Sequence, residues 1–166
     1  MTAEALKRML GLEPLPFEGG SFRETWRADE TLPAAALPPR YAAARALGTA
    51  ILYLLEPGEV SRLHRLRSDE TFHFYLGDPV EQLVLEPGGA GRRVVLGHDL
   101  AAGQRVQHTV PRGAWQGARL AAGGAWALLG PTVAPGFDLA DFEAGERAAL
   151  LAGWPEQRAL IEALTP

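Results

Sequence analysis

Gly58-Glu59-Val60-Ser61-Arg62-Leu63-His64-Arg65-Leu66-Arg67-Ser68-Asp69-Glu70-Thr71-Phe72-His73-Phe74-Tyr75-Leu76-Gly77 is the stretch whose reading decides the fold. Its residues alternate in the two-residue period of β-strands. Two strands are predicted, Val60 to Leu66 and Thr71 to Leu76, with Ser68-Asp69 turning the chain between them. Alternation puts Val60, Arg62, His64 and Leu66 on one face of the first strand. On the second it groups Glu70, Phe72, Phe74 and Leu76, and sets Thr71, His73 and Tyr75 on the opposite face. His64 and Glu70 are therefore expected to face each other across neighbouring strands, among aromatic rings. Such a pair has three uses. It can ligate iron, manganese, nickel or zinc, it can serve as acid and base in a partly dry pocket, or it can simply satisfy itself inside a sandwich.

Working outward, the same short apolar segments recur. Ile51 to Leu55, Val80 to Leu85, Arg92 to Leu96, Arg105 to Val110, Trp115 to Leu120 and Trp126 to Leu129 are separated by turn signals such as Glu56-Pro57-Gly58 and Gly123-Gly124. Regular short strands with Gly/Pro punctuation predict an all-β, antiparallel sandwich or barrel. No long helices stand between the strands, which argues against a doubly wound sheet. Phe22 to Arg27 reads as an earlier strand, and residues 31–46 as a loop with a short helical piece. Thr2 to Leu10 reads as a helix with Thr2 as its N-cap and Gly11 past its end. After Phe137, Asp141 is expected to cap a helix running to about Leu151, and Pro155 to open a last one ending at Leu164. The expectation is one domain over residues 1–166, with its core at 10–143 and a helical cover at 138–165.

Bulk properties narrow the function. The 166 residues are 47% hydrophobic with a formal charge of -4, which suits a globular chain and gives no basic face for nucleic acid. There are no cysteines, so disulfides, thiolate metal sites and cysteine nucleophiles are excluded. Neither a signal peptide nor a membrane span is evident, and a cytoplasmic location is expected.

The spacing of the opening stretch resembles the first cupin motif, G-x5-H-x-H-x3-E-x6-G. Gly58, His64, Glu70 and Gly77 match, while Leu66 stands where the second histidine would be. Pro111 and Gly113 match the second motif, P-x-G-x2-H, and Gln116 takes the histidine position. More narrowly, the chain resembles the small cupin family labelled predicted sugar epimerases. The segments that carry this likeness include Glu18 to Thr25, Tyr53 to Gly58, Ser68-Asp69-Glu70 with His73 to Pro79, and Val133 to Phe137.

The resemblance implies a cupin-type jelly roll with a small-molecule pocket, its ligand a sugar or an anionic metabolite. It implies His64, Glu70 and Gln116 as metal ligands, a thinned set that binds a divalent transition metal more weakly than several imidazoles. It also points to cupins that move a proton without metal, using a histidine base and a tyrosine acid. In that reading His64 is the base, Glu70 orients it, and Tyr53 or Tyr75 is the acid. Arg23, Glu24, Arg62 and His73 join Gln116 as candidate ligand-binding residues. An epimerase or isomerase, a non-catalytic binding protein and a metal-dependent cupin all remain open, because fold alone selects none of them. Small cupins commonly pair through edge strands, which otherwise invite unwanted association. A homodimer is therefore predicted, and light scattering on the purified protein should return twice the chain mass; a monomer would overturn this.

Overall fold

The alternation becomes two facing sheets in the computed structural model, which spans Met1–Pro166. Helix α1 (Ala3–Leu10) opens the chain and leads into β1 (Glu13–Pro14) and β2 (Ser21–Arg27). A short pair, β3 (Thr31–Leu32) and β4 (Arg45–Ala46), brackets the loop rich in alanine and proline. Strands β5 (Thr49–Leu55), β6 (Val60–Arg65), β7 (Asp69–Gly77), β8 (Val80–Leu85) and β9 (Gly91–Leu96) follow. Then come β10 (Gln107–Val110), β11 (Trp115–Leu120), β12 (Ala127–Leu129), β13 (Thr132–Ala134) and β14 (Glu143–Ala144). Helices α2 (Arg147–Gly153) and α3 (Arg158–Leu164) end the chain, and no helix is long and apolar enough to cross a membrane.

One sheet has the order β1-β2-β5-β12-β7-β10, with β13 pairing both β5 and β7. The other runs β14-β6-β11-β8-β9, and its pairs, like those of the first, are antiparallel. Strand parity distributes the apolar residues into layers. Tyr53 and Leu55 of β5 point between the sheets with Phe72, Phe74, Val84 and Leu129. Leu54, one residue off, points outward to Leu6 of α1. On the far side, Leu63, Leu83 and Leu85 bury themselves under Leu150, Ile161 and Leu164 of the C-terminal helices. Thr2 caps α1 by accepting from the Ala5 amide, and Gly11 ends it in the left-handed conformation, both as expected.

Three expectations are corrected. β6 and β7 do not pair: they lie in different sheets, and Leu66 to Ser68 carries the chain from one to the other. β6 also contains a bulge, because Gln116 of β11 pairs His64 while Ala118 pairs Ser61. The extra residue resets parity. Ser61 and His64 now point inward and Val60 and Leu63 outward, while Arg62 is exposed.

Asp141 does not cap a helix. It closes a 3-10 turn, and Glu146 caps α2 instead. Asp141 is drawn inward by Arg45, whose Nε and Nη2 each donate to one of its oxygens at 2.7 Å, with both side chains 3% exposed. Tyr41 sits beside Arg45 and hydrogen-bonds Ser68 Oγ at 2.8 Å and the Arg67 carbonyl at 3.0 Å. The network ties the early loop, the crossover between sheets and residues 138–142 together. Removing one partner of a buried ion pair strands the other. Asp141→Ala should therefore lower unfolding free energy by roughly 3–5 kcal/mol in urea titration, while Leu139→Ala, an exposed neighbour, should shift it by less than about 0.5 kcal/mol.

Candidate functional site

A cavity of about 190 Å³ opens between the sheets beside His64 and Glu70. Its apolar wall includes Phe17, Phe22, Ile51, Leu66 and Phe137. His64 enters from β6 and is almost fully buried, with the Phe142 ring lying nearly parallel to its own at 4.9 Å. Its Nδ1 lies 2.7 Å from the Arg62 carbonyl, an acceptor only, so Nδ1 carries the proton. In the neutral ring Nε2 then holds a lone pair, turned toward the other polar groups of the site.

Gln116 stands directly across from His64 on β11, and its amide nitrogen lies 3.4 Å from His64 Nε2. The same nitrogen donates to Glu70 Oε2, which reaches in from β7 on the facing sheet. One amide thus holds groups from both sheets in a common cluster. Gln116 Oε1, by contrast, is buried without a partner.

Glu18 completes the cluster. Its Oε2 lies 4.0 Å from His64 Nε2, and its Oε1 accepts from Ser61 Oγ at 2.6 Å. The paired glycines after it make this placement possible. Gly19 and Gly20 both have positive φ, and a Cβ on Gly19 would strike the Val60 carbonyl. Tyr53 fastens the turn from below by donating to the Gly19 carbonyl at 2.9 Å.

These positions set the electrostatics. Burial, then the charge of Glu18, push the Glu70 carboxyl from its ordinary 4.5 up to about 8, against the opposing effect of the Gln116 hydrogen bond. Glu70 is thus a neutral acid near neutral pH, facing an imidazole lone pair. Burial, followed by Glu18, also raises the Tyr53 phenol well above its usual range.

Of the residues singled out in the sequence, the structure brings His64, Glu70 and Gln116 together, with His64 and Glu70 lining the cavity and Gln116 behind them. Glu24 reaches the cavity too, accepting from Nε and Nη2 of Arg27 at 3.0 and 2.7 Å. Arg23 has the opposite parity on β2 and lies exposed over Gly11. The bulge turns Arg62 away, so only its carbonyl serves the site. His73 and Tyr75 lie on the outer face of β7. His73 bonds Gln107 and Thr132 there, while Tyr75 stacks beside it and stays 43% exposed. Tyr53 belongs to the core rather than the cavity wall, its hydroxyl committed to Gly19. Sequence reading missed Glu18, Arg27 and Phe142. Only Glu18 left a signal, an acid directly before two consecutive glycines.

The donor chemistry argues against a resident transition metal. Gln116 turns an N–H rather than a lone pair toward His64 and Glu70. No group of three or more histidine, aspartate or glutamate side chains is arranged to hold a metal ion. A single imidazole is the one soft ligand of the cluster.

The Cupin_5 family model, described as Cupin superfamily (DUF985), matches residues 4–145. Protein SO0799 from Shewanella oneidensis is similar in structure at TM-score 0.86 and 35% identity, over 100% of this chain and 98% of that one. A hypothetical protein from Leishmania major is similar at TM-score 0.87 and 33% identity, over 99% of each chain. An oxalate decarboxylase of Bacillus subtilis shares the fold alone, at 14% identity and TM-score 0.52, over 89% of this chain and 36% of its own. No curated protein matches the chain.

The raised acidity constant of Glu70 has a consequence for stability. Between pH 4.5 and about 8 the unfolded chain has lost this proton while the folded chain keeps it. Raising pH across that window therefore favours unfolding, by an amount on the order of a few kcal/mol. Glu70→Gln cannot ionise. Thermal melts should show the wild type losing stability relative to this variant from about pH 5 to about pH 9; parallel curves would show that Glu70 ionises freely.

Proposed function

The chain belongs to the Cupin_5 family of the cupin superfamily, and we propose that it is a proton-transfer enzyme, an isomerase acting on a small sugar or related carbonyl compound. The observation that carries this reading is that the Gln116 nitrogen holds the buried Glu70 carboxyl and His64 Nε2 together beside a small cavity, where burial favours the protonated acid. Groups of unlike protonation within reach of one ligand are what acid–base catalysis requires.

His64 Nε2 takes a proton from the carbon next to the carbonyl. Glu70 donates its own to the carbonyl oxygen, giving an enediol. Reversing the two transfers at the neighbouring carbon yields the isomer and restores both residues. Gln116 acts as a positioning residue, since its nitrogen reaches both partners. The Arg62 carbonyl fixes the tautomer by holding Nδ1. The Phe17 and Phe137 rings, with Ile51, supply the apolar wall that keeps water from competing. Glu70 as acid replaces the tyrosine expected from the resemblance, because Tyr53 and Tyr75 stand away from the cavity.

Deuterium exchange tests the reading. A panel of aldoses and ketoses incubated with the metal-stripped protein in heavy water should yield at least one compound labelled next to its carbonyl. His64→Gln should slow that labelling by roughly 100-fold or more, with the fold retained by circular dichroism. The rate should fall as pH rises through about 8, where Glu70 loses its proton. If no compound in the panel exchanges, the pocket belongs to a binding protein. If exchange appears only on adding a divalent metal, it belongs to a metal-dependent cupin.

A further inference from the structure

A second concavity of about 540 Å³ opens beside the inner cavity. Leu66 lines both, and Phe142, whose ring covers His64, lines the outer one. Arg40, Arg65, Arg67 and Arg112 stand around this vestibule, with Asp141 and Glu143 as its acids.

Both acids are already engaged. Asp141 gives both oxygens to the buried Arg45, and Glu143 gives both to Arg65. Arg67 approaches Asp141 only to 3.8 Å, and Arg112 approaches Asp69 at the same distance. Arg40 Nε instead donates to the Arg67 carbonyl at 2.9 Å, and Arg67 Nη1 donates to the Arg40 carbonyl at 2.7 Å. This reciprocal brace holds two guanidinium groups beside the opening without neutralising either. A chain with a formal charge of -4 thus gathers Arg40, Arg67 and Arg112 around one opening, with Arg67 and Arg112 no nearer than 3.8 Å to a carboxylate. Their mutual repulsion is relieved by solvent or by an anion.

Size and charge indicate which anion. The inner cavity, at about 190 Å³, is smaller than the roughly 300–1,000 Å³ that drug-sized ligands occupy. It suits one small ring, and a longer ligand would extend past Leu66, which lines both spaces, into the vestibule. A carboxylate carries one charge, which a single guanidinium fork balances. A phosphoryl group carries about -1.5 to -2 charges on three acceptor oxygens, and so matches several forks at once.

We propose that the vestibule binds the phosphoryl group of a ligand whose uncharged end enters the inner cavity. What happens to that uncharged end rests on the proton-transfer reading; the phosphoryl site does not. The isomerase substrate would then be a sugar monophosphate or a comparable phosphate ester.

Calorimetric titration at low salt tests this with inorganic phosphate and a panel of sugar monophosphates. Wild-type protein should bind inorganic phosphate, and at least one sugar monophosphate tenfold more tightly. Arg67→Ala combined with Arg112→Ala should weaken both at least tenfold, and Arg67→Lys with Arg112→Lys should recover part of the loss. Arg112→Ala alone leaves the Arg40–Arg67 brace intact and should still weaken phosphate measurably, which keeps the test decisive if the double variant misfolds. His64→Gln should leave inorganic phosphate affinity unaltered. Three results would each overturn the proposal: no phosphate binding at millimolar concentration, unchanged affinity in the alanine variants, or no sugar monophosphate tighter than inorganic phosphate. Failure of deuterium exchange would remove the enzymatic reading while leaving these affinities standing.

Discussion

The crossover at Leu66 to Ser68 is the constraint on which the rest of the structure depends. Residues only six apart in the chain, His64 and Glu70, end in opposite sheets because the backbone between them leaves one sheet and enters the other. That short link opposes an imidazole to a carboxylate across the interior, which a hairpin would have placed side by side. It also fixes Leu66 at the boundary between the inner cavity and the vestibule. Tyr41 clamps the crossover through Ser68 and the Arg67 carbonyl, and the buried Arg45–Asp141 pair locks residues 138–142 beside it. The position of Phe142 over His64 therefore depends on contacts that span most of the chain.

Inside this frame, burial decides the chemistry. Glu18, Glu70, His64 and Gln116 share a space with little water, so their charges cannot be independently solvated. Glu18 satisfies itself on Ser61, Gln116 bridges two partners, and Glu70 meets the constraint by retaining its proton. The acid in the pocket follows from the packing around it and needs no separate device. At the surface the opposite holds. Arg40, Arg67 and Arg112 lie exposed to solvent, and the brace ties Arg40 and Arg67 to each other's backbone carbonyls.

Much of this was legible in the sequence. β8 and β11 match their predicted limits, Val80 to Leu85 and Trp115 to Leu120, because Gly77-Asp78-Pro79 and Pro111-Arg112-Gly113 mark where each begins. The grouping of His64, Glu70 and Gln116 was implied by the resemblance to the two cupin motifs. Alternation, however, reports the face a residue occupies and not the sheet its strand joins, so the sequence pattern mistook β6 and β7 for a hairpin. It also cannot register an inserted residue, and the bulge in β6 sent Arg62 outward against parity. Asp141 looked like a helix cap because the partner that claims it, Arg45, lies 96 residues away. Glu18 went unread because it sits in a turn, where no period marks which way a side chain points.

The lone pair on His64 Nε2 carries a stereochemical consequence. If Glu70 serves the oxygens, this one atom both takes and returns the carbon-bound hydrogen. On the proton-transfer reading, departure and return of hydrogen then occur on one face of the planar intermediate, making the exchange suprafacial. A true epimerisation, which delivers hydrogen to the face opposite its departure, would need a donor beyond the bound ring. One base on one side would instead deliver solvent hydrogen to a single prochiral face of the neighbouring carbon.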